Sequence, residues 1–320
     1  MELLKVEGLT KHFPVSKGFR AFRNQELIRA VDDITFSINE KETVGLVGES
    51  GCGKTTVSKL ILLLEQPTRG RILFKSNDIS KLNGNSLNSY RRAVQAVFQD
   101  PYSSLNPRMR IRDSVAEPLL CHGFSKDEAM ARVNNLLISV GLDPNVADCF
   151  PHEFSGGQRQ RIAVARAISL HPELIVLDEP VSALDVSLRS QVMNLLQDLQ
   201  IEYGHSYLLI AHSMAVIRYM CTVVAVMYLG KIVEYATRKS LFEHTKHPYT
   251  QALLSAALPI SLDSDVKEIL LEGEVPSPID PPPGCHFHPR CFKAWDRCAI
   301  EAPILREIEP EHQVACHLYE

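Results

Sequence analysis

The sequence predicts an α/β fold, with helices packed on a mostly parallel sheet. Three observations carry this. LIVLDEP and SYLLIAH are short apolar runs bounded by turn signals, as buried parallel strands should be. Between them VSLRSQVMNLLQDLQIEYG reads as a helix. ETVGLVGESGCGKTTVSKLILLL reads as an apolar strand, a glycine-rich turn and a helix. The 320 residues are 45% hydrophobic and 22% charged, which excludes a disordered or collagen-like chain. That length is one large or two medium domains, with ample core. A formal net charge of −4 argues against a general binder of nucleic acid or anionic membranes. No apolar run reaches the roughly 18 residues of a membrane span. MELLKVEGLT lacks the basic start and apolar core of a signal peptide, so a cytosolic chain is expected.

The elements follow in order. LLKVEGLTKHF and AVDDITFSI alternate partially and carry β-branched and aromatic residues, so both are expected as strands. The polar, basic VSKGFRAFRNQELIR between them reads as a loop or hairpin extension. PTRGRILFKSNDI opens on a turn and returns to strand, and RRAVQAVFQD is another short strand. Residues 103–160 look helical; KDEAMARVNNLLISVGL has apolar residues at 3–4 spacing and ends on Gly141 as a C-cap. CTVVAVMYLGKIVEYA reads as a hairpin turning at Gly230. PSPIDPPP (276–283) is a stiff, extended linker.

Gly48-Glu49-Ser50-Gly51-Cys52-Gly53-Lys54-Thr55 fits the phosphate-binding pattern G-x4-G-K-[ST]. Its glycines let successive N–H groups face one anion, and the following helix adds its positive end. Lys54 reaches toward the β- and γ-phosphates, and the Thr55 hydroxyl is a Mg²⁺ ligand. Asp178 ends an apolar strand and is expected to hold Mg²⁺ directly or through water; Glu179 beside it is expected to polarise a water for attack on the γ-phosphate. Phe154-Ser155-Gly156-Gly157-Gln158 opens a helix with a hydroxyl and bare backbone N–H groups. That is an ordinary N-cap or a second anion site, and a second site makes sense if it serves another subunit's nucleotide.

GESGCGKTT, FSGGQ, LIVLDEP, SALD and His212 after SYLLIA stand in the order of an ABC-type ATPase domain, which the chain resembles over about residues 3–260. The resemblance implies a P-loop (RecA-like) core with an antiparallel β subdomain, a helical subdomain and a small Cys-rich C-terminal extension. It implies that residues 48–55 with Thr56 bind ATP, that Gln99 senses the γ-phosphate and the transmembrane partner and ligates Mg²⁺, and that Glu179, His212 and Gln99 are the catalytic residues, with Glu179 the base. Ser155, Gly156, Gly157 and Gln158 resemble the signature that closes over the opposite subunit's ATP. Asp185 resembles the aspartate linking the two half-sites, and His212 the switch histidine. Phe13 is expected to stack on adenine, with Phe19 and Phe22 as alternatives. Ser213 stands where the family usually has Asp.

FQDPYSSLNPR (98–108), HEFSGGQRQRIAVARA, KHPYTQALLSAAL (246–258), PPPGCHFHPRC and VACHLYE resemble the peptide and nickel importer ATPases, and the chain is most similar to the F-type subunit. That resemblance implies residues 1–260 as the ATPase domain, its helical part at about 100–160 receiving a membrane subunit, and 261–320 as the extension. The implied partners are a D-type ATPase subunit forming a heterodimer, two transmembrane permease subunits and an extracytoplasmic substrate-binding protein, with no nucleic acid. The implied place is the cytoplasmic face of the cell membrane. A nickel or glutathione importer is the alternative within the class, and a cytosolic ATPase acting on nucleic acid the alternative outside it.

Cys285, Cys291, Cys298 and Cys316 crowd the end of the chain. Four thiolates suit a [4Fe–4S] cluster or a structural zinc, and the spacing does not choose. The family resemblance favours the cluster. His286, His288 and His317 read as solvated flanking side chains, and Trp295 as a cover or anchor for the tail. Cys52 reads as a tolerated small residue, and Cys121, Cys149 and Cys221 as buried and inert.

Overall fold

A computed structural model describes residues 1–15, 26–100, 104–257 and 268–320. The chain forms two compact units. One holds Met1, Asn39–Glu42 and Lys81–Leu209; the other holds Glu2–Ile38, Thr43–Ser80 and Ile210–Glu320.

The second unit begins with β1 (Glu2–Pro14) and β2 (Leu27–Asn39), then β3 (Thr43–Val47), α1 (Lys54–Ile61), β4 (Arg69–Phe74) and β5 (Asn77–Asp78). β2, β1, β4 and β5 lie in that order in one sheet, and β1 runs antiparallel to β4, with Leu4 opposite Phe74 and Val6 opposite Ile72. Leu4, Val6 and Ile72 are buried. This is the antiparallel subdomain expected from the two N-terminal strands. β3 is buried along its whole length, which is why TVGLV has no polar alternation.

The first unit takes up the chain with α2 (Gly84–Ala93), β6 (Val94–Val97), α3 (Ile111–Cys121), α4 (Lys126–Ser139) and α5 (Gly156–Ile168), then β7 (Leu174–Asp178), α6 (Val186–Tyr203) and the start of β8 (Ser206–Ala211). β6 and β7 are parallel, with Val94 opposite Leu174 and Val97 opposite Leu177. The helical expectation for 103–160 corresponds to α3, α4 and the start of α5. In RRAVQAVFQD only Val94–Val97 is strand, because Arg91–Ala93 finish α2. α4 starts in a capping box: the Glu128 N–H donates to Ser125 Oγ at 3.3 Å, and the Ser125 N–H donates to Glu128 Oε2 at 3.0 Å. It ends as expected at Gly141, φ +72°, whose N–H donates to the Ile138 carbonyl.

The rest of the second unit comprises α7 (Met214–Met220), β9 (Val223–Tyr228), β10 (Lys231–Thr237), α8 (Arg238–Glu243), α9 (Pro248–Ala257), α10 (Asp296–Ile300), β11 (Arg306–Glu309) and β12 (His312–Val314). β9 is parallel to β3 and antiparallel to β10. The β9–β10 hairpin turns on Leu229 and Gly230, φ +43° and +82°, as GLY-rich turn chemistry requires.

The C-terminal extension is not a free appendage. β12 adds to the edge of β10, with Glu234 opposite Val314 and Ala236 opposite His312, and β11 pairs β12. Neither strand is visible in the amino-acid pattern, because each has only three or four residues. The proline-rich linker is pinned as well: the Arg29 N–H donates to the Pro278 carbonyl at 2.9 Å. A buried polar chain locks the join. His312 Nε2 is 2.7 Å from Glu234 Oε1, and His312 Nδ1 is 2.7 Å from Ser240 Oγ. Glu234 also accepts the N–H groups of Lys246 and His247. Glu234 and His312 are both 0% exposed, so their polar atoms must find partners within the protein. No helix among the described residues is long and apolar enough to cross a membrane.

His312→Ala removes a partner from a buried carboxylate. It should cost about 2 kcal/mol in urea unfolding and make residues 285–320 the first segment cut by protease.

Candidate functional site

The glycine-rich loop joins β3 to α1, as its sequence predicts. Two glycines are forced by close backbone approach. A Cβ on Gly48 would stand 2.1 Å from the Met227 carbonyl oxygen, and one on Gly53 would stand 2.0 Å from that of Ala30. Gly53, at φ +111°, is the N-cap of α1. Gly51 is also left-handed at φ +81°, but a Cβ there meets nothing within 4 Å. The loop is thus gripped at both ends and open at its crown, where Ser50 and Gly51 are exposed.

Lys54 is 5% exposed. A buried ammonium needs acceptors, and the loop supplies them: Lys54 Nζ donates to the carbonyls of Gly48 and Glu49, each at 2.9 Å. Its third neighbour is Cys52 Sγ at 3.6 Å. Cys52 is therefore more than a filler. Burial pushes its thiol up, and Lys54 pulls it back. Thr55 and Thr56 open α1; the Thr55 carbonyl accepts from Ser58 Oγ at 3.2 Å, and the Thr55 side chain is exposed.

Two residues far along the chain touch this loop, and neither is singled out by its sequence. The Tyr249 hydroxyl accepts the Glu49 N–H at 2.8 Å, across 200 residues. Arg290 donates from both terminal nitrogens to the Glu49 carboxylate, at 2.8 and 3.2 Å, across 241 residues. An acidic residue inside a loop built for anions is the one signal that asks for such a cation. Tyr228, Tyr249 and Phe287 stack edge-on behind this pair, with ring centroids 4.7–5.3 Å apart. His212, in the same unit, follows β8 directly and is exposed; Ser213 after it is the N-cap of α7 and makes no side-chain capping bond. Phe13 lies in β1 with Lys11 Nζ 4.7 Å from its ring centroid. Phe19 and Phe22 lie outside the described residues.

The first unit gathers the acidic residues. Asp178 ends β7 and is 6% exposed. Glu179 follows at φ +50°, a left-handed conformation unusual for glutamate, which turns its carboxylate off the strand direction. Gln99 Nε2 donates to Glu179 Oε2 at 2.9 Å, so two expected site residues 80 positions apart meet here. Ser155 is the N-cap of α5. The Gln158 N–H donates to Ser155 Oγ at 3.4 Å, and the Ser155 N–H donates to Gln158 Oε1 at 3.0 Å. The carboxamide oxygen of Gln158 is thus engaged in a capping box. Gly156 and Gly157 form the first turn behind it. Asp185 is the exposed N-cap residue of α6.

In the extension, Cys285, Cys291 and Cys316 are half-buried and Cys298 is buried. Burial raises the thiols of Cys285 and Cys316 to about 11 and also raises that of Cys291. Cys285 senses the charge of the other three, and backbone hydrogen bonds at Phe287, Lys293 and Leu318 draw Cys285, Cys291 and Cys316 back down. The Cys285 N–H donates to the Cys298 carbonyl at 2.8 Å. The cysteines are neighbours, yet among the described residues no three His, Cys, Asp or Glu side chains converge as a metal-holding group.

Three expectations about single side chains are corrected. His317 is buried and bonds the Glu320 carboxylate and the Glu301 carbonyl, while His286 and His288 bond the carbonyls of Leu229 and Cys285. His317 is thus structural and not solvated, whereas His286 and His288 are half-buried and each is held by one backbone carbonyl. Trp295 is 51% exposed and covers little. Cys121 is exposed and Cys149 half-buried; only Cys221 is the buried, inert thiol expected, its ionisation suppressed by burial.

The ABC transporter family matches residues 31–182, and the family described as oligopeptide/dipeptide transporter, C-terminal region, matches residues 233–298. The chain is 47% identical to the oligopeptide transport ATP-binding protein AppF of Bacillus subtilis (strain 168), covering 99% of this chain and 97% of that one. It is 44% identical to the di/tripeptide transport ATP-binding protein DppF of Pseudomonas aeruginosa (strain UCBPP-PA14), over 98% of this chain and 97% of that one. Among solved structures, a dimeric ATP-binding cassette in a post-hydrolysis state, bound to ADP and Pi, is similar with a TM-score of 0.65 at 28% identity, covering 74% of this chain and 99% of that one.

The two gripped glycines and the open one should respond differently to a methyl group. Gly51→Ala should cost about 1 kcal/mol, the left-handed penalty alone. Gly53→Ala adds a clash with a backbone oxygen and should cost more than about 3 kcal/mol. Denaturant midpoints of the two variants check this.

Proposed function

The chain belongs to the ABC transporter family, in the group that carries the oligopeptide/dipeptide transporter C-terminal region, and from that premise we infer that it is the ATP-binding and ATP-hydrolysing subunit of a peptide importer. The observation that carries this reading is the loop of residues 48–55, whose buried lysine and helix N-terminus form a ready cradle for phosphate. Relatives named for oligopeptides and di/tripeptides support peptides as the cargo.

In this reading each residue has a stated task. Lys54 exchanges its bonds to the Gly48 and Glu49 carbonyls for bonds to the β- and γ-phosphates. The Thr55 hydroxyl, Gln99 and Asp178 attend Mg²⁺. The Glu179 carboxylate accepts a proton from the attacking water, and its bond from Gln99 orients it. His212 contacts the γ-phosphate, Phe13 stacks on adenine, and Ser155, Gly156 and Gly157 bind the nucleotide of a partner ATPase subunit, with Asp185 joining the two half-sites. We assign the partner as a non-identical D-type subunit, and the pair to two membrane permeases on the cytoplasmic face of the membrane, served by an extracytoplasmic binding protein. Residues 1–260 are the ATPase domain and 261–320 the extension. ATP must bind the closed pair more tightly than the open one for closure to move the permeases.

Cys285, Cys291, Cys298 and Cys316 are proposed as the ligands of a [4Fe–4S] cluster, with zinc as the alternative. The support is the ligand count and the mutual charge coupling of the thiols, and not convergent geometry. Bound metal would displace the protons of its ligand thiols.

Glu179→Gln should abolish ATP turnover in the assembled transporter and keep ATP binding; peptide uptake retained by that variant would remove Glu179 from the role of base. Anaerobic purification with iron, sulfide and zinc assays tests the cysteines: iron and sulfide at about four each per chain are expected. Zinc alone would make the tail a structural staple, and no metal would remove the ligand assignment.

A further inference from the structure

The phosphate loop contains a carboxylate. Glu49 follows the first glycine, and a negative charge there works against the phosphates the loop is built to hold. Burial is the main force raising the thiol of Cys52 and the phenol of Tyr249, and the charge of Glu49 adds to both. The same residue is otherwise fully used by the loop. Its N–H is held by the Tyr249 hydroxyl and its carbonyl by Lys54 Nζ, so it cannot swing away without disturbing the lysine.

Arg290 answers that charge. Its side chain is 9% exposed, against 26% for Glu49, and its two terminal nitrogens bind the two carboxylate oxygens as a planar fork. Tyr228, Tyr249 and Phe287 pack against one another, and the Tyr249 hydroxyl reaches the Glu49 backbone. Arg290 belongs to the short turn His288–Arg290, immediately before Cys291 in the C-terminal extension. The extension is in turn fixed to the sheet through β12 and the buried Glu234–His312 bond.

We propose that Arg290 is a positioning residue for nucleotide binding: the C-terminal extension supplies the counter-ion that neutralises Glu49 and holds the phosphate loop in its anion-accepting form. The ATPase domain thereby depends for its affinity on a segment that contributes no atom to the loop itself. This rests on the reading of residues 48–55 as the ATP site.

The test uses the purified full-length chain, titrated with ATP–Mg²⁺, and steady-state kinetics in the assembled transporter. Arg290→Gln should weaken ATP binding about tenfold, the scale of one partly screened charge left uncompensated. KM for ATP should rise with kcat at saturation retained, whereas simple loss of folded protein would lower kcat and leave KM in place. The deciding variant is the double one. Adding Glu49→Gln to Arg290→Gln removes the charge that needs an answer, so affinity should return to within about threefold of the wild type. A tail that only braces the loop predicts no such recovery. The Arg290→Gln defect should also shrink as salt is raised from low to about 1 M. Unchanged affinity in Arg290→Gln, or a double variant as weak as the single one, overturns the proposal. If Arg290→Gln does not fold, Arg290→Lys carries the test: it keeps the charge, so affinity should stay within about threefold, and a tenfold loss would overturn it. A wild-type chain that binds no ATP would overturn the nucleotide reading instead.

Discussion

The carbonyl oxygens of Ala30 and Met227 stand where Cβ atoms would be on Gly53 and Gly48. That close approach fixes the phosphate loop by backbone alone. β2 supplies Ala30 and β9 supplies Met227, and the two strands are themselves tied at the β9–β10 turn. The Gly230 N–H donates to the Cys52 carbonyl at 3.0 Å, and the Asp32 N–H donates to the Gly230 carbonyl at 2.8 Å. Two strands and a turn therefore meet the loop at fixed distances. Preorganisation of this kind lowers the ordering cost of binding.

Electrostatics act on that frame. A cradle rich in N–H groups and a helix terminus is incomplete without its ammonium, and the ammonium must be desolvated to reach a phosphate. The loop meets the ammonium with two carbonyls, those of Gly48 and Glu49. The cost of the arrangement is Glu49, whose backbone serves the lysine and whose side chain opposes the ligand. The bidentate pair with Arg290 offsets that opposition and, in doing so, makes the extension part of the loop's surroundings.

The extension has too few residues to form a core. It gains stability by covering the edge of β10 with β12, which also removes a row of unpaired backbone groups from the sheet edge. Its histidines are used accordingly: His312 and His317 satisfy carboxylates and a carbonyl.

Local chemistry was legible in the sequence. The glycine-rich turn between a five-residue apolar strand and a helix, the acidic pair closing LIVLD, the Ser-Gly-Gly helix start and the Gly141 and Gly230 turns are all set by residues within a few positions of each other, through φ preference, capping and periodicity. The family resemblance followed from the order of those motifs. What the sequence could not decide were partnerships between distant side chains. Arg290 with Glu49 and Tyr249 with Glu49 join residues 241 and 200 positions apart, and Glu234 with His312 joins a strand to one of three residues that has no pattern of its own. Solvated and buried histidines look alike in a sequence, so their burial emerged only with the sheet edge that covers them. Such contacts depend on which surfaces the fold brings face to face, and no local propensity encodes that.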